Sequence, residues 1–204
     1  AYHDYLDIYR GKGDGTFEKI SQFSKHDTHV SGVKLSRNFG HQVAIFAGLS
    51  ESNGAYVLMM DGDLQHPPEL IPELWKCAVS GIDIVYTIRK AEKGAGWFKK
   101  FSARVFYRIF SYLTDVKLEP NTADFRIISR KVRDEIVKMD ERDLFLRGIF
   151  SWIGFTQKGV EYTAHKRIKG ESKYNFKKML NLSVSGITSF STVPIRLSLL
   201  LCGF

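Results

Sequence analysis

Six consecutive apolar residues, Ala55-Tyr56-Val57-Leu58-Met59-Met60, constrain this chain more than any other stretch. A strand with one wet face alternates apolar and polar residues. An unbroken run asks for burial on both faces, the condition of strands in a parallel sheet covered by helices. The flanking sequence follows the same plan. Residues 30–35 and 83–88 predict further strands. Helices are predicted over about 40–50 and 67–79, the second with proline in its first turn and Gly81 just past its end. Residues 125–129 and 159–163 predict two more strands, with helices near 131–139 and 144–152. Short apolar runs alternating with amphipathic helices indicate an α/β fold with a mainly parallel sheet.

Charge narrows the partners. The chain of 204 residues carries a formal net charge of +8, which favours anionic ligands: nucleic acid, anionic lipid or phosphorylated substrates. Nucleic acid ranks last, because no basic strand face with interleaved aromatics and no recognised module signature is present. Cys77 and Cys202 lie far apart without metal-ligand spacing and read as thiols in a reducing compartment. Residues 97–113 predict a strongly amphipathic helix: Phe101, Val105, Phe106, Ile109, Phe110 and Leu113 form one face, and Lys100, Arg104 and Arg108 a stripe beside it. Such a helix suits the membrane interface, with packing on the domain's own core as its rival. After Arg196 the chain runs Leu-Ser-Leu-Leu-Leu-Cys-Gly-Phe and stops. A spanning helix needs roughly 20 apolar residues, so residues 184–204 are expected to be the start of a membrane segment. With no initiator methionine and no signal peptide, the chain reads as a fragment.

The chemistry concentrates in Asp61-Gly62-Asp63-Leu64-Gln65-His66-Pro67-Pro68, directly after the buried run. Ligands of open parallel sheets gather beyond the carboxyl ends of strands. Residues i and i+2 of an extended chain point to one side, so Asp61 and Asp63 are expected to face one site. Two hard carboxylates and the Gln65 amide oxygen suit Mg²⁺ or Mn²⁺ that also binds phosphate oxygens. The plain alternative is a solvated acidic turn. An EF-hand is disfavoured, since the spaced downstream oxygens and glutamate of that loop are missing.

Four stretches, Leu35-Ser36-Arg37-Asn38-Phe39-Gly40-His41-Gln42, Asp61 to Glu69, Ala123-Asp124-Phe125-Arg126 and Arg167-Ile168-Lys169-Gly170-Glu171-Ser172-Lys173-Tyr174, resemble successive motifs of the polyprenyl-phosphate glycosyltransferases. That family includes dolichyl-phosphate mannose synthases and bacterial undecaprenyl-phosphate glucosyltransferases. The resemblance implies a nucleotide-diphospho-sugar transferase fold (GT-A, Rossmann-like), with residues 1–183 as the catalytic domain. It also implies inverting transfer of a hexose from a UDP- or GDP-sugar to undecaprenyl or dolichyl phosphate at an anionic membrane surface. The domain would lie on the cytoplasmic side, and a homo-oligomer is compatible with it. On the same basis Asp61 sits near the donor sugar or ribose and Asp63 and Gln65 hold the metal. Arg37, Arg167, Ser172 and Lys173 belong to the donor side, and Arg126 and Ser129 to the acceptor phosphate. Asp124 becomes the candidate catalytic carboxylate; its alternative is a structural pair with Arg126.

The beginning of the chain departs from that family. The family's first strand is missing, and Tyr9-Arg10-Gly11-Lys12 stands where Asp-Asp-Gly-Ser is expected before Asp14-Gly15-Thr16. Those carboxylates would help hold the nucleotide. A second reading follows: a catalytically silent, membrane-associated protein of the same fold that has lost donor binding.

Overall fold

The computed structural model describes residues 5–9, 15–90, 114, 119–139, 145–163, 191 and 202. The amphipathic helix expected over 97–113, the basic loop with Arg167, Ser172 and Lys173, and all of the expected membrane segment except Ser191 and Cys202 lie outside them. No helix among the described residues is long and apolar enough to cross a membrane. The chain divides into two compact units: Ala1–Met59 with Ile128–Leu144, and Met60–Ile127 with Phe145–Phe204.

In the first unit β1 (Tyr5–Tyr9) pairs in parallel with β2 (Val30–Lys34), Tyr5 opposite Val30 and Tyr9 opposite Lys34. Helix α1 (Thr16–His26) makes the crossover between them. The sequence pattern assigns no strand before residue 30, because Asp7 interrupts the only apolar run near the start. Helix α2 (His41–Glu51) begins after Gly40, whose φ of 100° is a backbone that side-chain-bearing residues rarely adopt. Strand β3 (Tyr56–Met59) falls inside the six-residue apolar run. Its four residues are half-buried, short of the two-sided burial expected from that run.

Helix α4 (Arg130–Lys138) buries Val132 and Ile136 and turns two arginines onto carbonyls at and just beyond the end of α2. Arg133 Nε donates to Leu49 O at 2.7 Å and its Nη2 to Ser50 O at 2.6 Å. The last carbonyls of a helix have no partner within it, so a planar guanidinium that reaches two of them closes the end firmly. Arg130 grips the next segment, donating from Nε to Gly54 O at 3.2 Å and from Nη2 to Asn53 O.

In the second unit β4 (Ile84–Arg89) pairs in parallel with β6 (Gln157–Tyr162), from Ile84 opposite Gln157 to Arg89 opposite Tyr162. Strand β5 (Thr122–Ser129) lies on the other side of β4, in the order β5-β4-β6. The N–H of Arg89, at the end of β4, donates to Asn121 O just before β5 begins. The two strands therefore run antiparallel. The end of β5 belongs to the first unit, where the N–H of Arg130 donates to Ala55 O just before β3. There too the neighbouring strands run antiparallel. The sheet is mixed, which corrects the mainly parallel expectation: apolar runs report burial, and strand direction leaves no mark on them.

The helix expected over 67–79 divides into a 3₁₀ turn, Pro68–Leu70, and α3 (Ile71–Val79). Proline cannot donate within a helix and is tolerated in its first turn, so Pro72 fixes where the regular helix begins. Leu74 and Ala78 of α3 are buried, as are Leu146, Ile149 and Phe150 of α5 (Leu146–Trp152).

Replacing Arg133 by alanine leaves two helix-end carbonyls without their charged donor and is expected to cost about 2 kcal/mol. Urea unfolding of Arg133→Ala checks this. Arg133→Lys is expected to recover less than half of the loss, because an ammonium cannot fork across two carbonyls.

Candidate functional site

Residues 61–66 leave β3 as a turn, not as extended chain. The N–H of Gln65 donates to Asp63 Oδ1 at 3.1 Å, and Leu64 between them takes a φ of 61°. An aspartate that accepts from the backbone two residues on closes such a turn locally. This corrects the extended-chain argument for the pair: a self-bonded turn, and not strand alternation, orients Asp63. Asp61, Asp63 and Gln65 are half-buried, while Leu64 stands out at the tip with 64% of its surface exposed.

The turn is tied down by His66, which is 7% exposed. The N–H of Asp61 donates to His66 Nδ1 at 3.1 Å, and His66 Nε2 lies 3.9 Å from Asp61 Oδ2. An Nδ1 that accepts carries no proton, so the neutral ring is protonated at Nε2. The ring stacks on Phe125 of β5, centroids 5.2 Å apart and planes 18° apart, and meets Tyr162 of β6 edge-on at 6.1 Å. Burial pulls the pKa of His66 below its ordinary value, opposed by the charges of Asp61, Asp63 and Asp124. Asp61, Asp63 and Asp124 therefore all lie within electrostatic range of one buried ring.

Asp124, on β5, is held from two sides. Arg147 of α5 donates from Nε to Oδ1 and from Nη2 to Oδ2, both at 2.9 Å. Arg126 Nη2 reaches Oδ1 at 3.4 Å and also donates to Ala123 O at 3.1 Å. The Arg126 guanidinium lies over the Phe150 ring, 4.3 Å from its centroid. Alternation along the strand explains the division. Asp124 and Arg126 share the face that meets Arg147 and Phe150, and Phe125 takes His66 on the other. Arg126 is only 3% exposed, and burial draws its pKa down to about 10 despite the pull of Asp124. The Arg147 side chain is 36% exposed.

The remaining predicted residues fall elsewhere. Arg37 is exposed in the first unit, its guanidinium over Phe39 at 4.6 Å, and Asn38 Oδ1 accepts from the N–H of Gly40 at the start of α2. Ser129 ends β5 as the N-cap residue of α4. It sits three residues from Arg126, so the strand aims the two side chains to opposite faces. Arg167, Ser172 and Lys173 are outside the described residues. Among the described residues, no group of three or more His, Cys, Asp or Glu side chains is arranged to hold a metal ion.

Sequence reasoning missed Arg147, although its signal is legible: a single cation in the otherwise uncharged helix Leu-Arg-Gly-Ile-Phe-Ser-Trp. It also gave His66 no role beyond its place in the motif. Tyr86 was overlooked as well. Its hydroxyl donates to Glu119 Oε2 at 2.6 Å, and burial, followed by that bond, pushes its pKa up to about 12.

The model of the family described as "Glycosyl transferase family 2" matches residues 10–137. The chain belongs to that family. It is 43% identical over 196 residues to an uncharacterized glycosyltransferase of Bacillus subtilis (strain 168), covering 96% of this chain and 61% of the relative. It is 40% identical over 186 residues to the bactoprenol glucosyl transferase of Shigella phage SfV, covering 91% of this chain and 61% of the relative. The chain thus spans about 61% of the length of these curated relatives.

Among solved structures, glucosyl-3-phosphoglycerate synthase from Mycobacterium tuberculosis aligns at a TM-score of 0.56 with 16% identity, over 91% of this chain and 68% of that one. A mannosyltransferase from Pyrobaculum calidifontis, in complex with GDP-Man and Mn²⁺, aligns at 0.54 with 11% identity, over 83% and 49%. At such identities the likeness is one of fold: the family 2 chain has the nucleotide-sugar transferase (GT-A) architecture with a mixed sheet.

His66 makes the folded state sensitive to acid. Its pKa is lower folded than unfolded, where it lies near 6.5. The unfolded chain therefore binds more protons, and stability rises with pH through this range. The urea midpoint is expected to fall as pH drops from about 7.5 to 5.5, and to fall less in His66→Asn.

Proposed function

We propose that this chain is the catalytic part of an inverting glycosyltransferase that moves a hexose from a nucleotide-diphospho-sugar to a polyprenyl phosphate. The carrying observation is that buried His66 ties the loop bearing Asp61 and Asp63 to Phe125 of β5, next in sequence to Asp124. Membership of glycosyl transferase family 2 and the bactoprenol glucosyl transferases among the relatives support the reaction class and the acceptor. Residues 1–183 form the catalytic domain in this reading, attached at the cytoplasmic face of a membrane. The 97–113 helix lies in the interface and residues 184–204 begin a spanning segment.

Asp63 and Gln65 would hold Mg²⁺ or Mn²⁺, which when bound neutralises charge on the departing nucleoside diphosphate. Their oxygen donors on a closed turn fit a hard ion. Too few carboxylates gather for an all-protein cage, so the donor's phosphates supply further ligands. The structures of the mannosyltransferase with GDP-Man and Mn²⁺, and of the synthase with Mn²⁺ and UDP, support that arrangement. Asp61 faces the donor sugar or ribose. Arg37 and the loop residues Arg167, Ser172 and Lys173 complete the donor side.

A polyprenyl phosphate is ionised at neutral pH, so its oxygen attacks the anomeric carbon without a strong general base. That suits Asp124, whose two carboxylate oxygens are already taken by guanidinium donors. Its task is to orient charge around the incoming phosphate. Arg126, buried beneath it, serves the acceptor side chiefly by way of Asp124, with Ser129 as a separate phosphate contact.

Two measurements on the full-length protein test this. Mn²⁺ is expected to bind tightly only together with UDP or GDP, and Asp63→Ala should abolish that binding. Tight metal binding without nucleotide, unchanged in Asp63→Ala, refutes the metal assignment, and failure to bind any nucleotide favours the catalytically silent reading. Arg126→Ala should raise the KM for polyprenyl phosphate about tenfold or more while leaving donor affinity nearly intact.

A further inference from the structure

We infer that His66 is a positioning residue: it holds the turn at 61–65 against β5, and so fixes Asp61 and Asp63 relative to the strand that bears Asp124. The inference deepens the proposed transfer and rests on the reading of Asp61 and Asp63 as donor-side groups.

The imidazole touches three pieces of the unit with three different parts of itself. Its Nδ1 lone pair takes the N–H of Asp61 at 3.1 Å, fixing where the turn begins. One ring face stacks on Phe125 at 5.2 Å, next in sequence to Asp124. Tyr162, which ends β6, also meets the ring, edge-on at 6.1 Å. The turn closes on itself through Asp63 and Gln65 but has no regular secondary structure to carry it. Its placement therefore depends on an anchor outside its own hydrogen bonds. A purely apolar residue at 66 could fill the stack and still leave the Asp61 N–H without that anchor. A purely polar one could accept the bond without fixing where it sits over β5.

This division of labour separates positioning from packing. His66→Phe keeps an aromatic ring over Phe125 and removes the acceptor. His66→Asn keeps an acceptor near the Nδ1 position and removes the ring. If His66 served stability alone, any loss of binding would follow the loss of stability.

The experiment uses the full-length protein, thermal melts, and calorimetry with Mn²⁺ and UDP or GDP as probes. His66→Phe is expected to melt within a few degrees of the wild type yet bind the Mn²⁺–nucleotide pair about tenfold more weakly. His66→Asn is expected to melt distinctly lower yet bind within about threefold of the wild type. Binding that tracks the melting temperature across the two variants, or nucleotide affinity unchanged in both, overturns the inference. Should His66→Phe not fold, His66→Leu, which also lacks an acceptor, takes its place. Amide exchange at Asp61 keeps the inference separate from the donor reading. A wild type that binds neither nucleotide sinks the donor reading. Faster Asp61 exchange in the acceptor-less variant than in His66→Asn still sustains the positioning role, and equal exchange refutes it.

Discussion

Burying a carboxylate obliges the surrounding chain to supply its counter-charge in fixed geometry, because an unpaired charge in an apolar interior is costly. Asp124 meets that demand with two arginines drawn from different elements, one on its own strand and one on α5. The consequence reaches well past the pair. Arg147 can arrive in bidentate register only if α5 packs with Leu146, Ile149 and Phe150 inward. Arg126 can stay buried only if Phe150 gives its guanidinium a π face. The ion cluster and the apolar packing of α5 therefore specify one another. β5 is the strand on which both converge, and its Phe125 takes the His66 ring on the other face.

Much of this was legible in the chain. The strand in the run at 55–60, the helix expected over 67–79 and the strands expected over 83–88 and 159–163 all came from apolar patterning, which located the elements although β3 is only half-buried. Strand direction did not. β5 runs antiparallel to its neighbours because the described connections bring Asn121 to Arg89 and Arg130 to Ala55, and no local pattern encodes such distant meetings. β1 was missed for a related reason: five residues around Asp7 look unremarkable until a parallel partner at Val30 pairs with them.

The candidate site divides in the same way. Asp61, Asp63 and Gln65 stood out because two carboxylates and an amide directly after an apolar run are conspicuous in sequence, whereas Asp124 stood out only through the resemblance of its stretch to a family motif. Arg147 did not, since its importance lies in a contact 23 positions from Asp124. Asp63 was found for an incomplete reason. Its orientation comes from a bond to the N–H of Gln65, a pairing that depends on the turn and not on the two-residue repeat of a strand.

That turn carries a further consequence through Leu64. A leucine with positive φ occupies a basin that side-chain-bearing residues enter at a cost on the order of 1 kcal/mol. A glycine there would sit without strain, but it would also sample many other conformations with little penalty. The β-carbon at position 64 therefore weights the unfolded chain toward φ values other than the one the turn uses. The contacts of the folded loop, the Asp63–Gln65 bond and the His66 anchor among them, must hold Leu64 in place against that bias. Loss of either contact would let Leu64 relax to a commoner φ, and the turn would lose the shape that orients Asp63.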